Sequence, residues 1–377
     1  MEKMDFIVVG AGVVGLAVAA ELTRRFEDQS VVLLERHSKF GQDTSSRNSE
    51  VMHAGMYYPT GSLKAQLCVE GNPLLYKFCE EYNVPHQRIG KLIIARNDSE
   101  IPSIEGIMKQ GRANGVKLEL IDRDQIAKME PNITAVAAVY SSATGIIDSH
   151  KLMAQLERLA LQGGAMLAYK HQVTDVHFQG DGYEVVFTGP DGAEDSLECR
   201  WLINCAGLYA DLIPARLGID TTAAGYKIYP VKGEYFTVAA AKSKLIFHLI
   251  YPPPLKSLHG LGTHVTKSLD GRARLGPNAH YVDKIEDYDV DAAHGEEFYQ
   301  AAKTYLPFIE REDLQPDMAG MRPKIQAPDA PVADFVVRHE DDRGLPGLID
   351  LVGIESPGLT CSLSLARKVA GIVAATS

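Results

Sequence analysis

The 377-residue chain is poor in the groups that bind nucleic acid. Lysine and arginine number 38 against 49 aspartates and glutamates, a formal net charge of −11, whereas counterion release from a phosphate backbone needs a basic face. Aromatic side chains make up 7% with one tryptophan, Trp201, too few for a stacking platform on single strands. No nucleic-acid partner is expected. Cysteine is scarce and unpaired: Cys68, Cys79, Cys199, Cys205 and Cys361 are odd in number and form no Cys-x-x-Cys. That excludes a disulfide frame or zinc knuckle and fits buried thiols in a reducing compartment. The twelve histidines show no close spacing with acids, and His37, His177 and His294 read as surface residues, so no metal site is expected. Long apolar runs are missing too. The uncharged stretch Phe6 to Ala20 is short for a bilayer span, contains three glycines and follows the acidic flank Met1-Glu2-Lys3-Met4-Asp5. No integral membrane segment is expected, which leaves peripheral contact at most. No repeat or low-complexity linker is present.

What remains is a chain with 45% hydrophobic residues, long enough for two lobes and suited to a small-molecule ligand. Its first forty residues carry the clearest signal. Asp5 to Val9 reads as a buried parallel strand, Val13 onward as a helix, and Val31 to Leu34 as a second strand ending in Glu35. Between the first strand and the helix stands Gly10-Ala11-Gly12-Val13-Val14-Gly15. Gly10 permits the tight turn, Gly12 lets backbone approach a pyrophosphate, and Gly15 lets helix and strand close up. The helix start faces the phosphates, and Glu35 accepts ribose hydroxyls. The carboxylate disfavours a 2′-phosphate, leaving NAD or FAD.

The chain then departs from an ordinary NAD domain. Gly41 to Pro59 is dense in hydroxyl and amide groups yet contains Val51, Met52, Met56, Tyr57 and Tyr58, a composition suited to lining an extended cofactor. The motifs Ser45-Ser46-Arg47-Asn48-Ser49, His53-Ala54-Gly55, Tyr57-Tyr58 and Ser62-Leu63-Lys64-Ala65 are followed by Leu202-Ile203-Asn204-Cys205-Ala206-Gly207 and Leu261-Gly262-Thr263-His264-Val265-Thr266. Leu275-Gly276-Pro277-Asn278 and Gly353-Ile354-Glu355-Ser356-Pro357-Gly358-Leu359-Thr360 complete the series. In this order they resemble the FAD-dependent oxidoreductases of the D-amino-acid oxidase and glycine oxidase superfamily, and within it the L-2-hydroxyglutarate dehydrogenase/oxidase group. Two departures from that group are Glu50, where its pattern has glycine, and the pair Pro323-Lys324 after Arg322; they point toward another polar hydroxy acid.

The resemblance implies an α/β (α+β) protein with a Rossmann-like FAD-binding domain and a second, mostly antiparallel β substrate domain. The expected division assigns 1–85, 145–225 and 331–377 to FAD and 86–144 and 226–330 to substrate. Helical periodicity covers Ser62 to Tyr82 and His150 to Gln162, with strands at Lys91 to Ala95, Trp201 to Asn204, Lys232 to Val238 and Leu348 to Val352. An acidic helix is expected around Asp291 to Tyr305, and Pro252-Pro253-Pro254 marks a turn. Ser356-Pro357 reads as the cap and first turn of a last helix ending near Ala374. Its start is a second site favouring negative charge, which in the resembling enzymes faces the flavin pyrimidine edge.

The expected cofactor contacts are Gly10, Gly12, Val13, Val14, Gly15, Glu35, Arg36, Ser45, Ser46, Arg47, Asn48, Ser49, His53, Val173, Ala206, Gly207, Asp211, Arg322, Ser356, Pro357, Gly358, Leu359 and Thr360. The implied reaction moves hydride from the α-carbon of a 2-hydroxy acid to flavin N5 while a base takes the hydroxyl proton, a task suited to histidine. His264, alternating with Val265 on an expected strand, and His53, beside the flavin-lining segment, are the candidates. Arg322 is expected to clamp a carboxylate, with Lys324, Lys232, Tyr235 and Tyr251 as further substrate contacts. L-2-Hydroxyglutarate is the leading substrate. Amine oxidation of the glycine- or sarcosine-oxidase kind, glycerol 3-phosphate oxidation and a non-enzymatic flavin-bound assembly or sensor subunit are the rivals. Oxygen, a quinone or an electron-transfer protein would accept the electrons, in the cytoplasm or at the inner membrane's periphery.

Overall fold

A computed structural model describes residues 3–253 and 263–376. The acidic flank's Met1-Glu2, the turn residue Pro254 and the motif residues Leu261-Gly262 lie outside the described residues. The chain divides into two compact units, one comprising Met1–Ser46, Ser149–Pro230 and Arg322–Ser377, the other Arg47–Asp148 and Val231–Met321.

The first unit is built on an eight-stranded sheet. Its strands Lys3–Val9, Val31–Glu35, Met166–Tyr169, Glu194–Asn204 and Leu348–Val352 are linked by parallel pairings, with Lys3–Val9 between Val31–Glu35 and Glu194–Asn204. Parallel strands covered on both faces read as unbroken apolar runs. Phe6, Ile7 and Val8 and every residue of Val31–Glu35 are accordingly buried. Val9, Glu35, Asn204 and Val352 all end their strands at one edge of the sheet, where ligands bind in open α/β folds.

Helix Val13–Arg25 packs against Ser149–Gln162 and Gly358–Thr376. Its Val13, Leu16, Ala17, Val18, Ala19 and Leu22 are buried, and Arg24 and Arg25 occupy the last turn, where cations complement the helix dipole. Gly358–Thr376 corrects the expectation that no segment has the makings of a span: its 19 residues are long and apolar enough to cross a bilayer. Cys361, Leu365, Val369 and Val373 are nevertheless buried inside the unit, so its apolarity serves the core. The helix starts at Gly358, with the first helical bond running from the Cys361 amide to the Pro357 carbonyl. Pro357 is therefore the cap position, one residue later than expected.

The second unit carries a nine-stranded sheet in which antiparallel pairs predominate, with Leu249–Tyr251 and Lys91–Ala95 a parallel pair. Alternation sorts its core into two faces. Leu92 and Ile94 join Phe236, Ile250, Val265, Leu275 and Phe298, whereas Ile93 and Ala95 join Ile104, Val116 and Val139. The acidic helix is shorter than expected, a turn at Ala292–His294 followed by Gly295–Lys303.

Residues 47–85, grouped with the first lobe on sequence, pack in the second unit. Helix Leu63–Tyr82 holds them there. Its Asn72 side-chain amide donates to the carbonyls of His53 (3.0 Å) and Ala143 (3.1 Å), and Ser62 caps it through the Ala65 amide. Residues 226–230 and 322–330, at the expected boundaries of the other lobe, belong to the first unit.

Candidate functional site

At the sheet edge of the first unit the three glycines have separate tasks. Gly10 has φ +101°, and a Cβ there would stand 2.6 Å from the Cys205 carbonyl oxygen. A Cβ on Gly15 would stand 1.9 Å from the Gly10 carbonyl oxygen, so any side chain would push the helix off the strand. At Gly12 a Cβ would meet the Ser45 hydroxyl at 3.0 Å, the surroundings of a residue left bare for an approaching ligand. Gly12 caps the helix without a side chain; Ser45 Oγ, from a distant loop, accepts the Val13 amide at 2.9 Å. The Val14 and Gly15 amides belong to the first turn, which has no intrahelical acceptors and so offers donors to a phosphate.

Glu35 is buried and fixed by backbone: it accepts from the Ala11 amide at 2.7 Å and the His37 amide at 2.8 Å. Those bonds leave lone pairs on both oxygens for ribose hydroxyls. The residues present therefore fit the adenosine and pyrophosphate of a dinucleotide. Arg36 pairs with Asp43 at 2.9 Å and lies over the Tyr209 ring at 4.1 Å, and Ser46 donates to the Gly41 carbonyl. Both shape this loop. Val173 lies in the sheet beside a bulge, Gly207 takes φ +57°, and Asp211 accepts the Ile228 amide at 3.0 Å with its carboxyl pushed up by burial. Pro357, Gly358, Leu359 and Thr360 form the start of the last helix, Ser356 precedes it, and Thr360 is fully buried.

Arg322 lies half-buried near the end of strand Leu314–Lys324. Lys324 is buried and pairs with Glu355 at 3.3 Å. Its charge is thus already faced by a carboxylate of the loop preceding the last helix.

In the second unit a compact aromatic and basic cluster forms around the sheet face that carries Ile93. Parallel register sets Leu249 beside Lys91 and Tyr251 beside Ile93, while Ile250 pairs with Val265. His264, one residue before Val265, therefore points to the Tyr251 side, as the alternation implies. The two rings stack at 3.8 Å with 18° between planes. Lys91 Nζ lies over the same Tyr251 ring at 3.9 Å and 5.3 Å from the centre of Tyr57. An imidazole and an ammonium this close to one ring centre cannot share a face, so Tyr251 is sandwiched between His264 and Lys91.

Lys91 is fully buried, and its Nζ has no hydrogen-bond partner among the described residues, nor has the buried Tyr57 hydroxyl. Burial brings the amine down to about 7. His53 is held well below the ordinary histidine value by its low-polarity surroundings first, then by Lys91 and His264. Both histidines singled out from sequence thus belong to one cluster. Lys91 was missed as a site residue, although the signal was present: a charged residue opening the otherwise apolar run Lys91-Leu92-Ile93-Ile94-Ala95.

Other expected residues fall elsewhere. Tyr235 is buried and interacts with Tyr251. Lys232, of opposite parity on the same strand, pairs with Asp287 at 3.2 Å and approaches Glu234 at 3.9 Å. Arg47 stacks its guanidinium over Tyr288 at 4.1 Å, and Asn48 Oδ1 accepts the Glu50 amide. Ser49 lies half-buried in the loop leading to His53.

His294, read from sequence as a surface residue, is partly exposed, pairs with the buried Glu234 and stacks on His280. The Glu234, His280 and His294 ligand atoms lie close together. The two imidazole planes are nearly parallel, at 13° and 5.1 Å between centres, a grouping in space that the spacing along the sequence did not show.

A parallel sheet whose glycine turn, bare helix start and terminal acid converge at one edge defines a dinucleotide-binding protein. The family model described as FAD dependent oxidoreductase matches residues 5–372, and the chain belongs to that family. FAD is its cofactor. The chain is 38% identical to the mitochondrial L-2-hydroxyglutarate dehydrogenase of Arabidopsis thaliana, over 98% of this chain and 83% of the relative. It is 30% identical to the L-2-hydroxyglutarate dehydrogenase of Escherichia coli K12, over 97% and 92%. Among solved structures, the FAD-bound, dithionite-reduced L-α-glycerophosphate oxidase of Mycoplasma pneumoniae superposes with TM-score 0.86 at 26% identity, covering 99% of this chain and 95% of the other. Glycine oxidase of Geobacillus kaustophilus gives 0.81 at 22% identity, covering 100% and 96%, a likeness of fold.

Proposed function

We propose that the protein oxidises L-2-hydroxyglutarate to 2-oxoglutarate. The observation that carries this reading is near-full-length similarity to L-2-hydroxyglutarate dehydrogenases from several organisms at 30–38% identity. A buried cluster that keeps a histidine unprotonated supports it. FAD, held by the glycine turn, the first-turn amides and Glu35, supplies a hydride acceptor at N5. The protein's own task is to bind the hydroxy acid and remove its hydroxyl proton.

A neutral imidazole accepts that proton, and the lowered proton affinity of His53 keeps it in the accepting form at neutral pH. His264, stacked on Tyr251, is the second candidate base. Arg322 suits bidentate capture of a carboxylate, and Tyr235 and Tyr251 provide apolar walls. Lys232 and Lys324, each facing an acid, contribute to substrate binding only by exchanging that partner. The electrons then pass to oxygen, a quinone or an electron-transfer protein. The five free cysteines favour a cytoplasmic setting, with inner-membrane contact at the periphery where a quinone is the acceptor.

The deciding experiment mixes the purified yellow protein anaerobically with hydroxy acids, glycine, sarcosine and glycerol 3-phosphate while following flavin absorbance. Bleaching by L-2-hydroxyglutarate alone is expected. Bleaching by an amine or by glycerol 3-phosphate, with L-2-hydroxyglutarate inert, would replace the substrate and keep the class. In His264→Gln, turnover of the hydroxy acid should fall at least tenfold if that imidazole is the base.

A further inference from the structure

We propose that Glu234, His280 and His294 form a binding site for a divalent transition-metal ion, zinc by its ligand set, which fastens the segment between the two histidines to the edge of the second unit's sheet. Spacing along the chain hides this site; strand register and one turn assemble it.

Strand Tyr229–Val238 pairs antiparallel with the edge strand His280–Tyr281, Lys232 standing opposite His280 and Val231 opposite Tyr281. Alternation puts Lys232, Glu234 and His280 on one face, with Glu234 and His280 as diagonal neighbours. Asn278 holds the carboxylate in place: its Oδ1 accepts the Glu234 amide at 2.7 Å while its Nδ2 donates to Glu234 Oε2 at 2.8 Å. His294 ends the turn Ala292–His294, which Asp291 caps through the Ala293 amide. The Asp291 amide in turn donates to Glu234 Oε1 at 3.0 Å, so the carboxylate that meets His294 also holds the turn carrying it. One ligand atom from each of the three residues lies within 4.8 Å of the others.

Three features separate this group from an ordinary surface ion pair. Glu234 is 2% exposed, and a buried carboxylate is destabilising unless a cation offsets its lost hydration. Lys232 does so only in part: it stands 3.9 Å from Oε1 and is met by Asp287 at 3.2 Å. Of the two lone pairs on Oε2, one takes Asn278 and the other meets His294 Nδ1, which is where an ion enters. The last feature is the distance between the rings. Two imidazole nitrogens about 2.1 Å from one tetrahedral ion place their ring centres about 5 Å apart, and the His280 and His294 centres are 5.1 Å apart. An ion leaves the angle between the planes free, because each ring turns about its own metal–nitrogen bond.

Two imidazoles and one carboxylate suit zinc, with water in the fourth position. Magnesium and calcium take sets of oxygen ligands and are disfavoured. On binding, the His294 ring proton moves to Nε2, and Nδ1 and Glu234 Oε2 both turn their lone pairs to the ion. His280 is exposed, so the ion enters from solvent while the sheet stays as it is.

The test titrates zinc at neutral pH into FAD-loaded protein stripped with a chelator, against a colorimetric zinc indicator. The wild type should bind one zinc with a micromolar dissociation constant, undisturbed by magnesium or calcium. His280→Ala and His294→Ala should each weaken binding at least about tenfold, the loss that even an outer-shell partner brings. Zinc at about a hundredfold excess over its dissociation constant should raise the melting midpoint of the 377-residue chain by about 3 °C in the wild type and in neither variant. Flavin absorbance equal to that of the wild type shows that each variant is folded. Should His294→Ala lose its flavin, His280→Ala decides alone, since that side chain is exposed. Failure of zinc to bind the wild type, or equal affinity in His280→Ala, overturns the site. Equal competition by magnesium overturns its assignment to a transition metal.

Discussion

Asp350 offers a test of the first unit that does not depend on turnover. It lies in the middle of the buried strand Leu348–Val352, where Oδ1 accepts from Asn204 Nδ2 at 2.6 Å and Oδ2 has no hydrogen-bond partner among the described residues. Glu340 adjoins it, already engaged by Arg343 at 2.7 Å, Arg338 at 3.3 Å and the Tyr226 hydroxyl at 2.6 Å. Burial, with Glu340 adding, raises the Asp350 carboxyl to about 8. It is therefore a neutral acid that donates toward Glu340 at neutral pH.

The linkage has a definite sign. An unfolded aspartate releases its proton near pH 4, whereas folded Asp350 keeps it until about pH 8. Across that window the folded state binds one proton more, so stability falls as pH rises, by about 1.4 kcal/mol per unit. With an unfolding entropy of about 2 cal/mol/K per residue over 377 residues, this is about 2 °C of Tm per pH unit. Asp350→Asn retains an oxygen for Asn204 and an amide for Glu340 but cannot titrate.

Melting of wild type and variant should be followed by fluorescence of the single tryptophan, Trp201, buried in strand Glu194–Asn204. Between pH 5 and pH 7 the wild type should lose about 4 °C relative to Asp350→Asn. Parallel Tm profiles would refute the assignment, as would a variant equally destabilised at every pH.

Two further substitutions probe the nucleotide edge and the loop after it. Gly15→Ala places a Cβ where the Gly10 carbonyl stands, so the helix must retreat by about 1 Å to restore contact distance; purified protein should be colourless, and retained flavin absorbance would contradict the close-packing role. Glu50 adopts φ +55°, a left-handed conformation costing a side chain about 1–2 kcal/mol, and its amide and carbonyl are bonded to Asn48 and Ile147. Glu50→Gly should raise stability by about 1 kcal/mol in denaturant titration, and a loss would show that the Glu50 side chain matters more than its backbone strain.

The strands and the glycine turn were legible in sequence because both are local. A continuous apolar run and a glycine spacing carry their reason within ten residues, and Lys3–Val9, Val31–Glu35 and Leu348–Val352 form where expected. The allegiance of residues 47–85 was not legible: it depends on Asn72 reaching His53 and Ala143. The same holds for cations. Lys324 and Lys232 look available in sequence, since the acids that meet them, Glu355 and Asp287, arrive from remote loops. His264 facing Tyr251 could be read from alternation with Val265, whereas Lys91 beneath the same ring depends on a parallel pairing with Leu249–Tyr251. Glu50 explains one departure from the resembling pattern: glycine is the easier residue at its φ.

An acidic protein that binds a dianion must supply positive charge locally, and most cations brought out by the sequence are already matched by acids. Arg36 faces Asp43, Lys232 faces Asp287 and Lys324 faces Glu355. Lys91 faces aromatic rings and has no carboxylate partner among the described residues. Under the proposed function, an anion bound near this cluster raises the proton affinity of Lys91, which burial has brought down to about 7. Binding of 2-oxoglutarate to the oxidised holoenzyme should therefore take up a fraction of a proton near pH 7. Calorimetry in phosphate and in Tris, whose ionisation enthalpies differ, measures that uptake directly without turnover. The apparent binding enthalpy should differ between buffers for the wild type and agree for Lys91→Met. Equal enthalpies in the wild type would mean that the bound dianion leaves the cluster's protonation untouched, and would place the compensating charge elsewhere.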